Sequence, residues 1–166
     1  DAAGAGPGKT IAVVGDGAVG LGAVIGASQL GAERVIAMSR HEARAKLARE
    51  FGATDVVAER GEEGAAKVKE LTGGYGAHGT AEAVGTEQAM QQALASTRYG
   101  GYVGFVGVPH GGTMSVDQLF GKEVHLFGGP APVRRYLPQL IKLIFERKIH
   151  PGKVFDLVLP IEQAAE

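Results

Sequence analysis

The sequence predicts a single α/β domain built on a doubly wound, six-stranded parallel sheet. Short apolar runs alternate with longer helix-forming stretches along the chain, which is typical of parallel βαβ units. A G-x-G-x-x-G motif at Gly15, Gly17 and Gly20 directly follows the first apolar run, where a strand is expected to turn into a helix. A chain of 166 residues suits one domain with a full core, so we treat residues 1–166 as one unit.

The first unit along the chain is a strand, a glycine-rich turn, a helix and a second strand. Residues 11–14 are apolar and mostly β-branched, as in a buried strand. Residues 18–30 contain no proline and many small side chains, which favours a helix packed close to the sheet. An apolar run at 35–38 predicts the second strand. This stretch is therefore a βαβ unit of the Rossmann type.

The three glycines have separate roles in such a unit. Gly15 permits the tight turn out of the strand, Gly17 lets the backbone approach a pyrophosphate, and Gly20 lets the helix lie against the strand. The free amides and the positive end of the helix dipole then face the phosphates. A plain glycine-rich turn is the alternative in a chain with 27 glycines, but the flanking elements favour a dinucleotide site.

Later elements have signals of the same kind. Residues 42–51 place their apolar side chains on one helical face, and Gly52 ends that helix. Thr86 is a typical N-cap for a helix that runs to residue 95. The remaining predicted elements are, in order, a strand at 55–58, a helix at 61–71, a strand at 79–85, a strand at 102–107, an irregular loop at 108–112, a short helix at 116–120, a strand at 124–127, an amphipathic helix at 134–147, a last strand at 154–159 and a terminal helix from Pro160.

Composition excludes several classes of function. The chain has no cysteine, which excludes disulfides, a cysteine nucleophile and cysteine-ligated zinc within it. A formal net charge of −1 favours neither nucleic acid nor a membrane surface as a partner. No run approaches the roughly 20 apolar residues of a membrane span, and Asp1 begins no signal-peptide pattern. We therefore expect a cytoplasmic protein.

The residues after the second strand predict the cofactor. An acidic side chain about 20 residues beyond the motif would bind the ribose 2′-hydroxyl of NAD(H). Ser39 stands there instead, followed by Arg40 and His41. A hydroxyl and a guanidinium suit a 2′-phosphate, so we predict NADP(H) over NAD(H). The alternative is that Ser39 only caps the next helix and Arg40 is a solvated charge.

Four stretches together resemble the cofactor-binding domain of the medium-chain dehydrogenase/reductase superfamily, the zinc-type alcohol dehydrogenases. They are residues 13–20 (VVGDGAVG), 47–55 (LAREFGATD), 82–86 (EAVGT) and 100–109 (GGYVGFVGVP). The resemblance runs over nearly the whole chain. It implies that Val19 packs behind the nicotinamide and that Ser39 and Arg40 match the members that prefer NADP. The cofactor-binding set that we expect is Gly15, Gly17, Ala18, Val19, Gly20, Ser39, Arg40, His41, Val84, Gly85, Val106, Val108 and Phe127.

The same resemblance implies a second copy of the chain as a partner and a catalytic domain outside this sequence. The strand at 124–127 matches the sheet edge through which family members dimerise, so we expect a homodimer. The catalytic domain, with its zinc ligands, would lie before residue 1 and after residue 166, so we expect no catalytic residue and no metal site in this chain. His78 departs from the family pattern and is interpreted as a surface histidine. His110 lies in the loop nearest the cofactor.

Three functions stay open. The first is the NADP(H)-binding domain of an alcohol dehydrogenase that transfers hydride between the nicotinamide and a small alcohol or carbonyl substrate. The second is the coenzyme domain of a zinc-free quinone or enoyl reductase of the same superfamily. The third is a non-catalytic module that senses NADP(H).

Overall fold

The computed structural model describes residues 1–111 and 113–163 of the chain. Within them the chain forms six strands, six α-helices and two short 3₁₀ helices. In chain order these are β1 (Thr10–Val14), α1 (Ala18–Gln29), β2 (Arg34–Met38), α2 (Glu42–Glu50), β3 (Asp55–Val57), α3 (Gly61–Leu71), β4 (Ala77–Glu82), α4 (Glu87–Ser96), β5 (Thr97–Phe105), α5 (Val116–Lys122), β6 (His125–Gly128), α6 (Val133–Phe145), and the 3₁₀ helices Pro151–Val154 and Ile161–Gln163.

The sheet has the order β3-β2-β1-β4-β5-β6, and all of its strand pairs are parallel. This confirms the predicted doubly wound fold. The order reverses between β1 and β4, which is where open α/β sheets bind ligands. The register aligns the carboxyl ends of the central strands, because Val14 pairs with both Met38 and Glu82. The loops that follow these strands therefore meet at one edge.

Two apolar layers cover the two faces of the sheet. Successive residues of β1 point to opposite faces, so Ile11 and Val13 join one layer while Ala12 and Val14 join the other. Helices α1 and α2 supply the first layer and α3 and α4 the second. Burial on both faces explains why β1 and β2 are nearly continuous apolar runs.

Strands β4 and β5 differ from their predicted bounds. β4 ends at Glu82, not at residue 85, because the Glu82 side chain accepts the amides of Val84 and Gly85 and turns the chain out of the sheet. β5 begins at Thr97, five residues earlier than expected, through a register irregularity opposite Ala77. The Thr86 cap of α4 is confirmed by a 3.2 Å bond from the Ala89 amide to the Thr86 hydroxyl.

The predicted last strand is wrong. Residues 151–154 form a 3₁₀ helix, and residues 155–160 have no regular structure. The apolar side chains that suggested the strand have no partner strand among the described residues, and Val158 is 93% exposed. The terminal helix is represented only by the 3₁₀ turn Ile161–Gln163, since residues 164–166 lie outside the described part, as does Gly112 of the predicted loop.

The apolar faces of the carboxyl-terminal third are open in this chain. Helix α6 is amphipathic as expected, with Pro138 inside it. Its apolar residues Leu140 and Ile141 are each 40% exposed. The outer strand β6 begins at His125, one residue later than predicted, and forms one edge of the sheet. No described helix is both long and apolar enough to cross a membrane.

Candidate functional site

The glycine motif forms an open turn between β1 and α1. Gly15 has a φ of +113°, which favours glycine. A Cβ on Gly20 would lie 1.9 Å from the Gly15 carbonyl oxygen, so only glycine allows this approach of the helix to the turn. A Cβ on Gly17 would meet nothing within 4 Å, which leaves room above that residue. The turn at Gly15 and the close approach at Gly20 are as the sequence predicts.

The amino-terminal end of α1 is a place where an anion can be held. Gly17 is the N-cap residue, and the Leu21 amide is the first to donate back to it, at 2.9 Å. The amides of Ala18, Val19 and Gly20 therefore precede the first intrahelical bond. No acidic residue lies in the first turn itself, and the nearest one, Asp16, precedes the N-cap and accepts a hydrogen bond from Ser39.

A cleft of about 370 Å³ opens beside this helix end, at the point where the strand order reverses. It brings together five residues that the sequence predicts for the cofactor, namely Gly15, Gly17, Ser39, Arg40 and Val84. Other lining residues come from the loops after β3 and β4 and from α4, including Glu59, Arg60, Thr86, Gln88 and Gln92. An open cleft of this size, with glycine backbone on one side and cations on the other, can take a phosphorylated ligand.

Ser39 is bonded across the cleft to the glycine loop. Its side chain is buried, and its hydroxyl donates to Asp16 Oδ2 at 2.8 Å. His41 Nδ1 lies 2.8 Å from the same oxygen. Burial by itself would raise the pKa of the Asp16 carboxyl, but the bonds from His41 and Ser39 outweigh it and lower the pKa below its ordinary value of 3.8. Ser39 is not the cap of α2, because His41 occupies that position.

Two guanidinium groups border the cleft. Arg40 follows β2 and is exposed, and Arg60 follows β3 as the N-cap of α3. In the part of the chain that the structure describes, neither has a carboxylate oxygen within 4.0 Å. Arg60, Asp16 and Glu59 are cleft residues that were not predicted from the sequence. Arg60 and Glu59 could have been identified from their position directly after the third strand, because the loops at the carboxyl ends of parallel strands bind ligands.

A buried carboxylate shapes the other side of the cleft. Glu82 is fully buried, and its Oε1 accepts the amides of Val84 at 2.7 Å and Gly85 at 2.8 Å. The Val84 side chain is thereby held over Gly15. Gly85 has a φ of +89° and packs against the Val108 carbonyl, so it joins the loops after β4 and β5.

The remaining predicted residues lie near the cleft or along the same sheet edge. Val19 is on the first turn of α1 and is 52% exposed. Val106 and Val108 follow β5, Phe127 lies on β6, and all three are outside the set that lines the cleft. Phe127 and Val108 are each 70% exposed, so this stretch is a line of uncovered apolar side chains.

His78 and His110 each make a hydrogen bond to another segment of the chain. His78 Nδ1 accepts the Thr10 amide at 3.0 Å and so bonds to the start of β1, which gives this residue a physical account that the sequence lacked. The His110 amide donates to the Gly85 carbonyl at 3.1 Å. Among residues 1–111 and 113–163, no group of three His, Cys, Asp or Glu side chains could hold a metal ion.

Comparisons with known proteins agree with this fold. Residues 18–146 match the family model described as zinc-binding dehydrogenase. The chain is 35% identical over 161 residues to a probable zinc-binding alcohol dehydrogenase of Mycobacterium tuberculosis, covering 96% of this chain and 41% of that protein. Among solved structures, an alcohol dehydrogenase from Thermus sp. ATN1 has a TM-score of 0.87 at 29% identity, covering 98% of this chain and 48% of the other.

A second solved structure matches at lower similarity. It is a mycobacterial quinone oxidoreductase, with a TM-score of 0.76 and 25% identity over 90% of this chain and 49% of the other. The chain spans about two fifths of the length of the curated relatives that it matches.

Proposed function

Because the chain belongs to the zinc-binding dehydrogenase family, we propose that it is the NADP(H)-binding domain of an alcohol dehydrogenase-type oxidoreductase. The observation that carries this proposal is the cleft lined by an open glycine loop and by two arginines, Arg40 and Arg60. The bound nicotinamide would supply hydride chemistry, exchanging a hydride with a small alcohol or carbonyl compound. The residues of this chain bind the cofactor and orient it toward a substrate held elsewhere.

The pyrophosphate would sit at the amino-terminal end of α1. The amides of Ala18, Val19 and Gly20 are not used within the helix, so they are free to donate to phosphate oxygens. The open space above Gly17 lets the phosphates come close to the backbone. The helix dipole favours the negative charge at this end.

The 2′-phosphate would lie between the loops after β2 and β3. Arg40 and Arg60 border the cleft there, and neither is paired with a described carboxylate. Guanidinium groups pair well with phosphate oxygens because their N–H groups form a planar fork. Ser39 contributes less than the sequence predicts, since its single hydroxyl proton is already donated to Asp16.

The nicotinamide would lie along the uncovered apolar residues at the carboxyl ends of the strands. Val19 and Val84 face this side beside the cleft, and Val106, Val108 and Phe127 continue it along the sheet edge. A flat ring placed against them would bury apolar area that water covers in this chain.

A calorimetric titration tests the proposal. We expect NADP⁺ to bind the chain at least tenfold more tightly than NAD⁺, a difference of about 1.4 kcal/mol. Arg40→Ala should remove most of that difference. Arg49→Ala is the matched control, because Arg49 is exposed on α2 and does not line the cleft. Equal affinity for the two cofactors would refute the 2′-phosphate assignment, and no binding of either would refute a cofactor site formed by this chain.

The zinc-free quinone reductase is the second candidate, supported by the mycobacterial quinone oxidoreductase among the structural matches. The described residues do not fit a zinc centre, so we assign any catalytic zinc to a domain outside this chain. Metal analysis of the longer protein separates the candidates. One tightly bound zinc per subunit supports the alcohol dehydrogenase, and none supports the quinone reductase.

We also propose that the longer protein forms a homodimer through β6. This strand is the outermost of the sheet, and Phe127 on it is 70% exposed. An exposed edge strand without charges at its centre is prone to pair with another strand. Pairing with its own copy would satisfy the unpaired backbone groups of this edge.

A further inference from the structure

We propose that Asp16 determines how strongly the cleft prefers NADP(H) to NAD(H), because it holds a carboxylate where the 2′-substituent of the cofactor is read. This inference rests on the proposed function, since it concerns the same cleft. Asp16 stands between the first two glycines of the motif. Its side chain turns away from the pyrophosphate side and bonds to the residues that follow β2.

The Asp16 carboxylate lies next to the residues that follow β2, although Asp16 belongs to a different loop in the sequence. NAD-binding folds commonly carry an acidic residue after β2, whose oxygens accept the ribose 2′-hydroxyl. Ser39 takes that place in this chain, but Asp16 Oδ2 is only 2.8 Å from the Ser39 hydroxyl. An acceptor for the ribose hydroxyl is therefore present one hydrogen bond away, supplied by a different loop.

The same carboxylate opposes a 2′-phosphate. A phosphate oxygen within hydrogen-bond distance of the Ser39 hydroxyl would lie roughly 4–6 Å from Asp16, judged from two successive hydrogen bonds. At that separation two negative charges repel appreciably in a partly buried site. The two bonds that Asp16 accepts keep the carboxyl ionised, so this charge is present throughout the neutral range.

The charges around the cleft are finely balanced. Arg40 and Arg60 attract a phosphate, while Asp16 and Glu59 oppose it, and their formal charges cancel. His41 is 57% exposed and adds a positive charge only when it is protonated. Removing the charge of Asp16 should therefore leave a net positive site at the 2′-position.

The test is Asp16→Asn, which keeps an oxygen to accept the Ser39 proton and removes the negative charge, while the second oxygen is replaced by an NH₂ donor. The probes are 2′,5′-ADP, which carries the 2′-phosphate, and 5′-AMP, which does not. Both lack the nicotinamide, so neither depends on contacts outside this chain. We expect the variant to bind 2′,5′-ADP about five- to tenfold more tightly and 5′-AMP equally or up to threefold more weakly. The gain should shrink at high salt, because screening weakens the repulsion.

Glu59→Gln is the matched control, since it removes one negative charge from the same cleft without touching Ser39. An equal gain in the control would overturn the specific role of Asp16, as would an unchanged preference in Asp16→Asn. If the Asp16→Asn variant does not fold, Asp16→Ser provides a second uncharged variant. If the wild-type chain binds neither probe nor NADP⁺, the proposed function is refuted as well. Wild-type binding with an unaltered preference in both Asp16 variants would refute only this inference.

Discussion

Gly20→Ala should destabilise the chain, although alanine is a better helix former than glycine. The new Cβ would lie 1.9 Å from the Gly15 carbonyl oxygen and 2.6 Å from its carbon. Both contacts are with backbone, so no side chain can rotate away. The start of α1 must move by about 1 Å or more to restore a normal contact, which disturbs the close packing of helix and strand.

The size of the effect can be estimated from the cost of overpacking, and a nearby glycine provides the control. Overpacking of this kind costs about 1–3 kcal/mol, and we expect a net loss near 2 kcal/mol after the gain in helix propensity. Gly22→Ala makes the same change two residues further along α1, where a Cβ meets nothing within 4 Å. That variant should gain about 0.5–1 kcal/mol, because alanine restricts the unfolded chain more than glycine does.

Urea denaturation followed by circular dichroism measures both variants against the wild-type chain. The loss in Gly20→Ala corresponds to a fall in Tm of roughly 4–8 °C for a chain of this size. A Gly20→Ala variant that unfolds at the same urea concentration as the wild type, or at a higher one, would contradict the expected clash with Gly15. An equal loss of stability in Gly22→Ala would also refute it, because the effect would then not come from the contact with Gly15.

Three other expectations follow from the structure. Gly17→Ala should unfold like the wild type but lose NADP⁺ binding in calorimetry, because its Cβ enters only the space proposed for the pyrophosphate; retained binding would contradict that placement. Burial, and then the charges of Arg98 and Lys9, lower the pKa of His78 in the folded chain, so the unfolded chain binds the proton more readily. Stability should be full above the ordinary value of 6.5 and fall as the pH drops below it, and His78→Gln should show a flatter profile in urea titrations between pH 7.5 and 5. The proposed pairing through β6 predicts that Phe127→Lys weakens dimer formation of the longer protein in sedimentation equilibrium, and equal dimer formation in the variant would contradict that pairing.

The βαβ unit around the glycine motif could be predicted closely because its signals are local. Residues 11–14 are apolar and followed at once by Gly15, and the strand ends at Val14 as expected. Helix α1 begins at Ala18, as predicted. Such boundaries depend on backbone conformations that neighbouring residues determine, so they can be inferred without knowing what packs against them.

Elements that depend on distant partners were predicted less well. The largely apolar run at 154–159 suggested a strand, but a strand forms only where another strand pairs with it. The end of β4 depends on Glu82, whose carboxylate captures the next two free amides. The early start of β5 depends on a register irregularity with β4.

The sequence alone determined the fold class, the glycine loop and the place of Arg40, because each depends on residue types at short spacing. Only the tertiary structure brought Arg60 to the same cleft and joined Asp16 to Ser39 across 23 positions of the chain. The physical reason is that parallel strands with aligned carboxyl ends gather their loops at one edge, whatever their separation in sequence. The net charge around a bound cofactor is the sum of the side-chain charges on those loops. No single stretch of sequence therefore determines it.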